Sequence, residues 1–256
     1  MDNLWNDFDQ AFEEKTEPSP SNENSQKKSN KHFRTINTVS NRNEIDEYVK
    51  FVNENKIKLP LFPITVLPQK LNMIVAPSNV GKSTYLQNIA VRTAMLGMKV
   101  LYITAEQSDK EIGKKITIKE DHIPDKPENY AGISVGFLDP LSEEDLVAQL
   151  AEINLQNYDI IVYDYIKFST LIGKLETYNA ISRLTDLFYR HLVMASKKTV
   201  FFAAIQANTT GQKINDENQI AEIWASLVDG GGGAGRHADN VVWMAADNTN
   251  SKLIIC

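Results

Sequence analysis

Cysteine is almost absent from the sequence. Only Cys256 occurs among the 256 residues. A single thiol excludes an internal disulfide framework and any zinc module built from several cysteines. Such scarcity is typical of proteins that work in a reducing environment, so we expect a cytoplasmic protein.

The sequence also lacks long apolar runs and an excess of positive charge. No run approaches the roughly 18 residues of a membrane span, and the N-terminus has no signal-peptide pattern, so no membrane partner is expected. The chain has 27 Lys and Arg against 33 Asp and Glu, a net charge of −6. This balance argues against a broad basic surface that coats nucleic acid. Any contact with DNA must come from local loops or from an assembly that concentrates a few cations.

The residues that are present suit one substantial core with a tail. Of the 256 residues, 42% are hydrophobic and 23% are charged, and the length suggests one or two domains. Residues 1–42 are polar and carry too few apolar side chains to offset the entropy of ordering, which predicts a disordered acidic and polar tail. Residues 43–67 predict a short helix near 44–57 and a proline-rich linker.

Four apolar side chains in the tail are surrounded by carboxylates. They are Leu4, Trp5, Phe8 and Phe12. One interpretation is a transient helix that presents an aromatic face to a partner groove. The other is an unstructured terminus with incidental aromatics.

From residue 68 onward the sequence has the pattern of an α/β protein with a largely parallel sheet. Nearly continuous apolar runs predict strands that are buried on both faces. Strands are predicted at about 71–75, 99–104, 132–137, 159–164, 199–205, 240–245 and 251–255. Helices are predicted near 82–96, 108–119, 142–155, 176–196 and 219–227. The turn-rich segment 247–250 predicts a hairpin between the last two strands, so the sheet is expected to end in an antiparallel edge.

The segment 76–84 has the pattern of a phosphate-binding loop. It lies between an apolar strand and a segment of helical periodicity, where backbone N–H groups and the helix dipole would surround phosphates. Lys82 would reach the phosphates, and the Ser83 hydroxyl would ligate Mg²⁺. The predicted nucleotide-binding residues are Ala76, Pro77, Ser78, Asn79, Val80, Gly81, Lys82, Ser83 and Thr84. Ala76 replaces the first glycine of the general pattern, and the alternative is a chance loop before a helix.

Three polar residues end apolar strands, at the edge where a parallel sheet binds its ligand. Asp164 would hold Mg²⁺ together with Ser83, or would only cap the next turn. Glu106 would orient or deprotonate the attacking water, or would be a solvated charge that opens the helix at 108. Gln206 would hydrogen-bond the γ-phosphate. Lys82, Glu106 and Gln206 are therefore the predicted catalytic residues, with ATP as the nucleotide.

These strand ends together resemble the RecA-like ATPase core, and in detail they resemble the helicase domain of DnaB-like replicative helicases. The phosphate loop of that family reads A-x-P-S-x-G-K-[ST], which includes Ala76, although the proline here stands one place earlier, at Pro77. Segment 101–108, Leu-Tyr-Ile-Thr-Ala-Glu-Gln-Ser, resembles the one that carries the catalytic glutamate. Segments 159–165 and 204–208 resemble the Walker B strand and the γ-phosphate sensor strand.

The glycine-rich segment 229–240 resembles the family's S-G-A-x-x-Q-x-A-D loop, which faces DNA in a central channel. Arg236 stands where the family often has Gln, which suggests a phosphate contact with nucleotide or with DNA. Composition alone also fits a flexible linker. His237 is interpreted as a turn residue rather than a catalyst. The expected DNA contacts are Lys213, Gly232, Gly233 and Arg236, with Lys167 and Lys174 as further candidates.

Over residues 68–256, the resemblance implies an ATP-dependent DNA helicase of the DnaB-like ring type. Such a chain would translocate on single-stranded DNA during replication, in a ring usually of six subunits with ATP between neighbours. Few cations per subunit would then suffice. A separate primase or loader would contact the N-terminal tail. The same core serves RecA-like recombinases and DNA-dependent regulatory or loader ATPases without unwinding activity, and this alternative stays open.

Two features of the family are not found in the sequence. The tail is too short for a collar or primase domain, an arrangement plausible for a phage protein, whose location would be the host cytoplasm. A K-x-R element that reaches the neighbour's ATP would follow the last strand, where the sequence stops at Cys256. We expect a fragment, a split gene product or an arginine supplied from elsewhere, and weak ATP hydrolysis by the chain alone.

Overall fold

A computed structural model of the chain describes residues 42–130, 132–138, 140, 142–166, 177–207, 237–247 and 252–255. The predicted disordered tail up to residue 41, the helix predicted near 219–227 and most of the glycine-rich segment lie outside these residues. The chain divides into two compact units, Met1–Asp46 and Glu47–Cys256. The sheet and every site residue discussed below belong to the second unit.

One seven-stranded sheet forms the centre of this unit. The strands are β1 Leu71–Ala76, β2 Val100–Thr104, β3 Ile133–Phe137, β4 Ile160–Ile166, β5 Val200–Gln206, β6 Asn240–Asp247 and β7 Lys252–Ile255. Their order across the sheet is β3-β2-β4-β5-β1-β6-β7. The first six strands are parallel to their neighbours, and β7 is antiparallel to β6. The predicted α/β class, with a mostly parallel sheet and an antiparallel C-terminal edge, is confirmed.

Helices flank the sheet. They are α1 Arg42–Glu54, α2 Lys82–Ala94, α3 Asp109–Asp121, α4 Glu143–Ala151 and α5 Thr177–Phe188. A 3₁₀ turn over Leu155–Asn157 follows α4, and a π-helical turn over Tyr189–Val193 continues α5. Within the described ranges, no helix is both long and apolar enough to cross a membrane.

The helix predicted over 142–155 is shorter than expected, because α4 ends at Ala151. The side chain of Asn154 accepts a hydrogen bond from the backbone N–H of Gln156 at 3.3 Å and so begins the separate 3₁₀ turn. Asparagine side chains compete with helical hydrogen bonds in this way. The apolar periodicity continued through this region, but the local bond decided where the helix stops.

Strand β4 is longer than its predicted range of 159–164. It continues to Ile166, whose side chain is buried, so Asp164 lies inside the strand and not at its end. The pairing of β4 with β5 shifts between Tyr163 and Ile166. Irregularities of this kind re-aim side chains in sheets, and this one lies at the predicted metal ligand.

Both faces of the sheet are buried, which explains the nearly continuous apolar runs in the sequence. Every residue of β1 and β2 is buried. One apolar cluster packs under α4, α5 and the π-helical turn, and the other under α2 and α3. Part of the predicted linker joins the second cluster, where Phe62 packs edge-on against Phe202 with ring centroids 5.0 Å apart.

The chain connection through α2 gathers the predicted site at one edge of the sheet. Helix α2 leaves β1 and leads to β2, which lies on the far side of β5 and β4. The carboxyl ends of β2, β4, β5 and β1 are therefore contiguous. These four strands carry Glu106, Asp164, Gln206 and the phosphate loop.

Candidate nucleotide-binding site

The loop between β1 and α2 passes through two residues in the left-handed region. Asn79 has φ 63° and Gly81 has φ 97°. A Cβ atom added at Gly81 would meet nothing within 4 Å, so glycine is required for its backbone angle and not for space. Because glycine precedes α2, no side chain from this position caps the first N–H groups of the helix. An anion can bind to them.

Lys82 begins α2, and its side chain is buried. Its ammonium group donates to the carbonyl oxygens of Ala76 at 3.3 Å and Pro77 at 3.1 Å. The same nitrogen lies 5.4 Å from the centre of the Tyr165 ring, a cation–π distance. The lysine is therefore folded over the loop whose phosphate it is predicted to bind.

Ser83 and Asp164 supply two oxygen ligands side by side. Ser83 Oγ donates to Asp164 Oδ1 at 3.1 Å. Burial raises the pKa of Asp164, and the hydrogen bonds from Tyr102 and Ser83 oppose that shift. No cluster of three or more His, Cys, Asp or Glu capable of holding a metal occurs in the part of the chain that the structure describes. A hydroxyl and one carboxylate fit Mg²⁺, which usually completes its shell with phosphates and water.

Glu106 lies in the turn that follows β2, in the neighbourhood of Asp164. The backbone N–H groups of Glu106 and Gln107 both donate to Thr104 Oγ1, each at 3.3 Å. Thr104 is buried at the end of β2, so it fixes this turn to the sheet. After burial, the nearby Glu106 charge also raises the pKa of Asp164. The two carboxylates therefore share one electrostatic environment.

Other residues open the helix that follows Glu106. Ser108 Oγ accepts a hydrogen bond from the Glu111 N–H at 3.3 Å, and the Ser108 N–H donates to Glu111 Oε2 at 3.2 Å. This reciprocal pair is a capping box. Asp109 and Glu111 are the acidic residues of the first turn of α3. They take the role that the alternative interpretation gave to Glu106.

Gln206 is the last residue of β5, and it pairs with Ala76 in the register of β1 and β5. One residue further, the Ala207 N–H donates to the Ala76 carbonyl oxygen at 2.9 Å. Backbone pairing therefore holds the end of β5 beside the start of the phosphate loop. The contact of the Gln206 amide with a γ-phosphate stays a prediction.

Two residues of the site were not predicted from the sequence. The hydroxyl of Tyr102 donates to Asp164 Oδ2 at 2.5 Å, and Thr104 holds the turn that carries Glu106. Their signal in the sequence is a polar group inside an otherwise apolar strand. That signal does not say which carboxylate lies opposite, because the strand order decides it.

The predicted DNA contacts lie outside the described ranges. They are Lys213, Gly232, Gly233 and Arg236, together with the further candidates Lys167 and Lys174. His237, the next residue after this segment, is described. Its Nε2 lies 3.5 Å from Asp186 Oδ1, and its ring centre lies 5.0 Å from that of Tyr189. These contacts agree with a turn residue that packs on the end of α5.

The fold is similar to solved structures of helicase ATPase domains. One of them, the isolated ATPase domain of a DnaB-like helicase, gives a TM-score of 0.59 at 14% identity, over 87% of this chain and 91% of that chain. A DnaB-like replicative helicase, described with its interactions with primase, gives 0.58 at 13% identity, over 85% of this chain and 58% of that one. The chain thus spans little more than half of that replicative helicase. No family model and no curated protein matches the sequence.

Similarity at such low identity concerns the fold alone. It agrees with the resemblance inferred from the phosphate loop and the strand ends, and it extends over most of the chain. The chain has the RecA-like α/β fold that is found in the ATPase domains of DnaB-like helicases.

Proposed function

We propose that the chain is a P-loop NTPase that hydrolyses ATP with Mg²⁺. The observation that carries this proposal is the meeting of Lys82, Ser83 and Asp164 at the N-terminus of α2, with Ser83 Oγ 3.1 Å from the Asp164 carboxylate. An ammonium, a hydroxyl, a carboxylate and helix N–H groups are together the groups that a metal–triphosphate complex needs. The similarity to helicase ATPase domains supports the same conclusion.

Binding of the triphosphate falls to the loop and α2. Backbone N–H groups of residues 77–84 would surround the phosphates, and Lys82 would exchange the carbonyl oxygens of Ala76 and Pro77 for phosphate oxygens. Phosphate is the stronger acceptor for an ammonium group, because both partners are charged. Ser83 and Asp164 would hold Mg²⁺, which neutralises phosphate charge when it is bound.

In the hydrolytic step, a water oxygen attacks the γ-phosphorus, and the bond to the oxygen that bridges the β- and γ-phosphorus breaks. The products are ADP and inorganic phosphate. Glu106 accepts the proton that the water loses. Gln206 hydrogen-bonds the γ-phosphate and reports its departure to the segment after β5, since Gln206 ends that strand.

The proposed motor acts on single-stranded DNA during replication, as a DnaB-like helicase in a ring usually of six subunits. The fold similarity and the glycine-rich segment support this step. Lys213, Gly232, Gly233 and Arg236 would contact the DNA backbone, and Arg236 would alternatively reach the nucleotide. The similar replicative helicase was studied with primase. For this chain, a separate primase or loader at the N-terminal tail is proposed, with the host cytoplasm as the location if a phage encodes it.

ATP hydrolysis by the full chain, measured with and without single-stranded DNA, tests the proposal. Strand displacement on a forked duplex is measured beside it. We expect hydrolysis that single-stranded DNA stimulates, together with displacement. Stimulated hydrolysis without displacement would replace the helicase by a recombinase, regulatory or loader ATPase. Absence of hydrolysis under all conditions would overturn the ATPase.

The variant Glu106→Gln tests the proposed base. The amide keeps the size of the side chain but cannot take up the proton, so hydrolysis should fall about 100- to 10,000-fold while ATP binding is retained. Glu128→Gln is the matched control, because Glu128 is an exposed carboxylate in the connection between α3 and β3, at the opposite edge of the sheet. Its turnover should equal that of the unmodified chain. If Glu106→Gln keeps its turnover, Glu106 is not the base.

A further inference from the structure

The Asp164 carboxylate is held at both of its oxygen atoms. Oδ1 accepts the hydrogen bond from Ser83 at 3.1 Å, and Oδ2 accepts the one from the Tyr102 hydroxyl at 2.5 Å. Rotation of the carboxylate about its terminal bond would break these bonds. The plane of the carboxylate is therefore fixed relative to α2, the helix that carries Ser83.

The register of β2 and β4 explains how Tyr102 reaches Asp164. Tyr102 pairs with Val162, and Thr104 pairs with Asp164. Residues two apart on a strand share a face, so Tyr102 and Asp164 are diagonal neighbours on one face of the sheet. Aromatic side chains can span that diagonal. Both residues are almost completely buried, with 0% of Tyr102 and 4% of Asp164 exposed, so solvent offers the carboxylate oxygen little alternative.

Gln87 holds the tyrosine from the helix side. It is 3% exposed and lies on α2, four residues after Ser83, so the two side chains share a helix face. Burial and the neighbouring Asp164 charge raise the pKa of Tyr102 well above its ordinary value, while a hydrogen bond from Gln87 opposes the shift. The hydroxyl thus keeps its proton and donates it to Asp164 while it accepts from Gln87.

We propose that Tyr102 is a positioning residue that holds Asp164 in the orientation needed to bind Mg²⁺ with the nucleotide, and that Gln87 in turn holds Tyr102. The inference rests on the nucleotide site proposed above. A neutral hydroxyl orients the carboxylate and leaves its negative charge available to the cation. Partners that orient a metal ligand typically contribute 10- to 100-fold to metal affinity.

Phenylalanine would fill the same space in the core, so the hydroxyl is the feature to test. In Tyr102→Phe, we expect the Mg²⁺ concentration that half-saturates binding of a non-hydrolysable ATP analogue to rise about 10- to 100-fold. Binding of the analogue without Mg²⁺ should be unchanged, because the loop and Lys82 are untouched. The readout is equilibrium binding by the full chain, with fluorescence of the labelled analogue, and needs no turnover.

Tyr163→Phe is the matched control. Tyr163 is also a buried tyrosine and is adjacent to Asp164 on β4, but its ring packs on the other face against Phe188, with ring centres 4.1 Å apart. Loss of its hydroxyl should leave the Mg²⁺ requirement unchanged. Gln87→Met keeps the length of the glutamine side chain and removes the donor. It should shift the requirement in the same direction as Tyr102→Phe, and by less.

Thermal unfolding of each variant separates a positioning role from a structural one. The inference is overturned if Tyr102→Phe unfolds at a lower temperature but keeps the normal Mg²⁺ requirement. It is also overturned if Tyr163→Phe shifts that requirement equally. If Tyr102→Phe does not fold, Gln87→Met decides between the same two results. If the unmodified chain binds no analogue with or without Mg²⁺, the proposed function itself fails, and this inference with it.

Discussion

Gly81 shows how one residue serves both the backbone and the site. Its φ of 97° lies in the left-handed region, where a side chain is strained even though a Cβ would meet nothing within 4 Å. The open space is next to the first turn of α2, where the phosphates are proposed to bind. A substitution here is therefore expected to act through strain in the backbone.

Gly81→Ala and Gly113→Ala should change the free energy of unfolding in opposite directions. Alanine at residue 81 is expected to destabilise the chain by about 1–2 kcal/mol, because of the left-handed angle. Gly113 lies inside α3, and a Cβ there would also meet nothing within 4 Å. Alanine at this helical position should stabilise by about 0.5–1 kcal/mol. Urea unfolding checks both values, and stabilisation by Gly81→Ala would contradict the expected strain.

At the scale of residues, local sequence predicts the loop but not its surroundings. Lys82 and Ser83 follow a left-handed glycine at the start of a helix, and all of these features are neighbours in the chain. Tyr102 acts on Asp164, which is 62 positions away. That contact exists because β2 lies beside β4, and neither apolar periodicity nor spacing fixes strand order. The residue that holds the metal ligand could be identified only in the fold.

At the scale of elements, Asp239 joins the start of β6 to the start of β1. Its Oδ2 accepts a hydrogen bond from the Leu71 backbone N–H at 2.9 Å, and its Oδ1 accepts one from Lys70 Nζ at 2.7 Å. Leu71 is buried, whereas the ion pair with Lys70 is partly exposed. The bond to the backbone should therefore contribute more to stability than the ion pair.

Asp239→Ala and Lys70→Met separate these two contributions. Asp239→Ala leaves the Leu71 N–H without its side-chain acceptor, and it should lower the free energy of unfolding by about 1–3 kcal/mol. Lys70→Met removes only the partly exposed ion pair and should lower it by less than about 1 kcal/mol. Chemical denaturation of both variants measures the difference. Equal losses would show that the ion pair, and not the backbone bond, joins the strands.

The elements themselves were largely predictable, for a physical reason. Strands that are buried on both faces must be apolar at nearly every position, so β1, β2, β4 and β5 are visible as continuous runs. Exceptions arise from single hydrogen bonds. The Met194 N–H bonds to the Tyr189 carbonyl oxygen at 2.9 Å and forms the π-helical turn after α5. Such a bond changes the helical repeat without changing which residues are apolar.

At the scale of the whole molecule, the charge conflicts with the proposed ligands only when it is averaged over the chain. The chain carries a net charge of −6, yet both ATP and DNA are anions. Helix N–H groups and Lys82 provide a local positive site for the nucleotide that does not depend on net charge. For DNA, a ring would multiply the few cations of each subunit.

The most direct test of the central claim is calorimetric titration of the full chain with ATP and Mg²⁺. We predict one bound nucleotide per chain, with affinity about 10- to 100-fold lower in Lys82→Met, since hydrogen bonds to charged groups contribute about 1.5–3 kcal/mol. Lys114→Met, at an exposed position on α3, should bind normally. A chain that binds no ATP, or a Lys82→Met variant that binds it as tightly as the unmodified chain, would contradict the proposed nucleotide site.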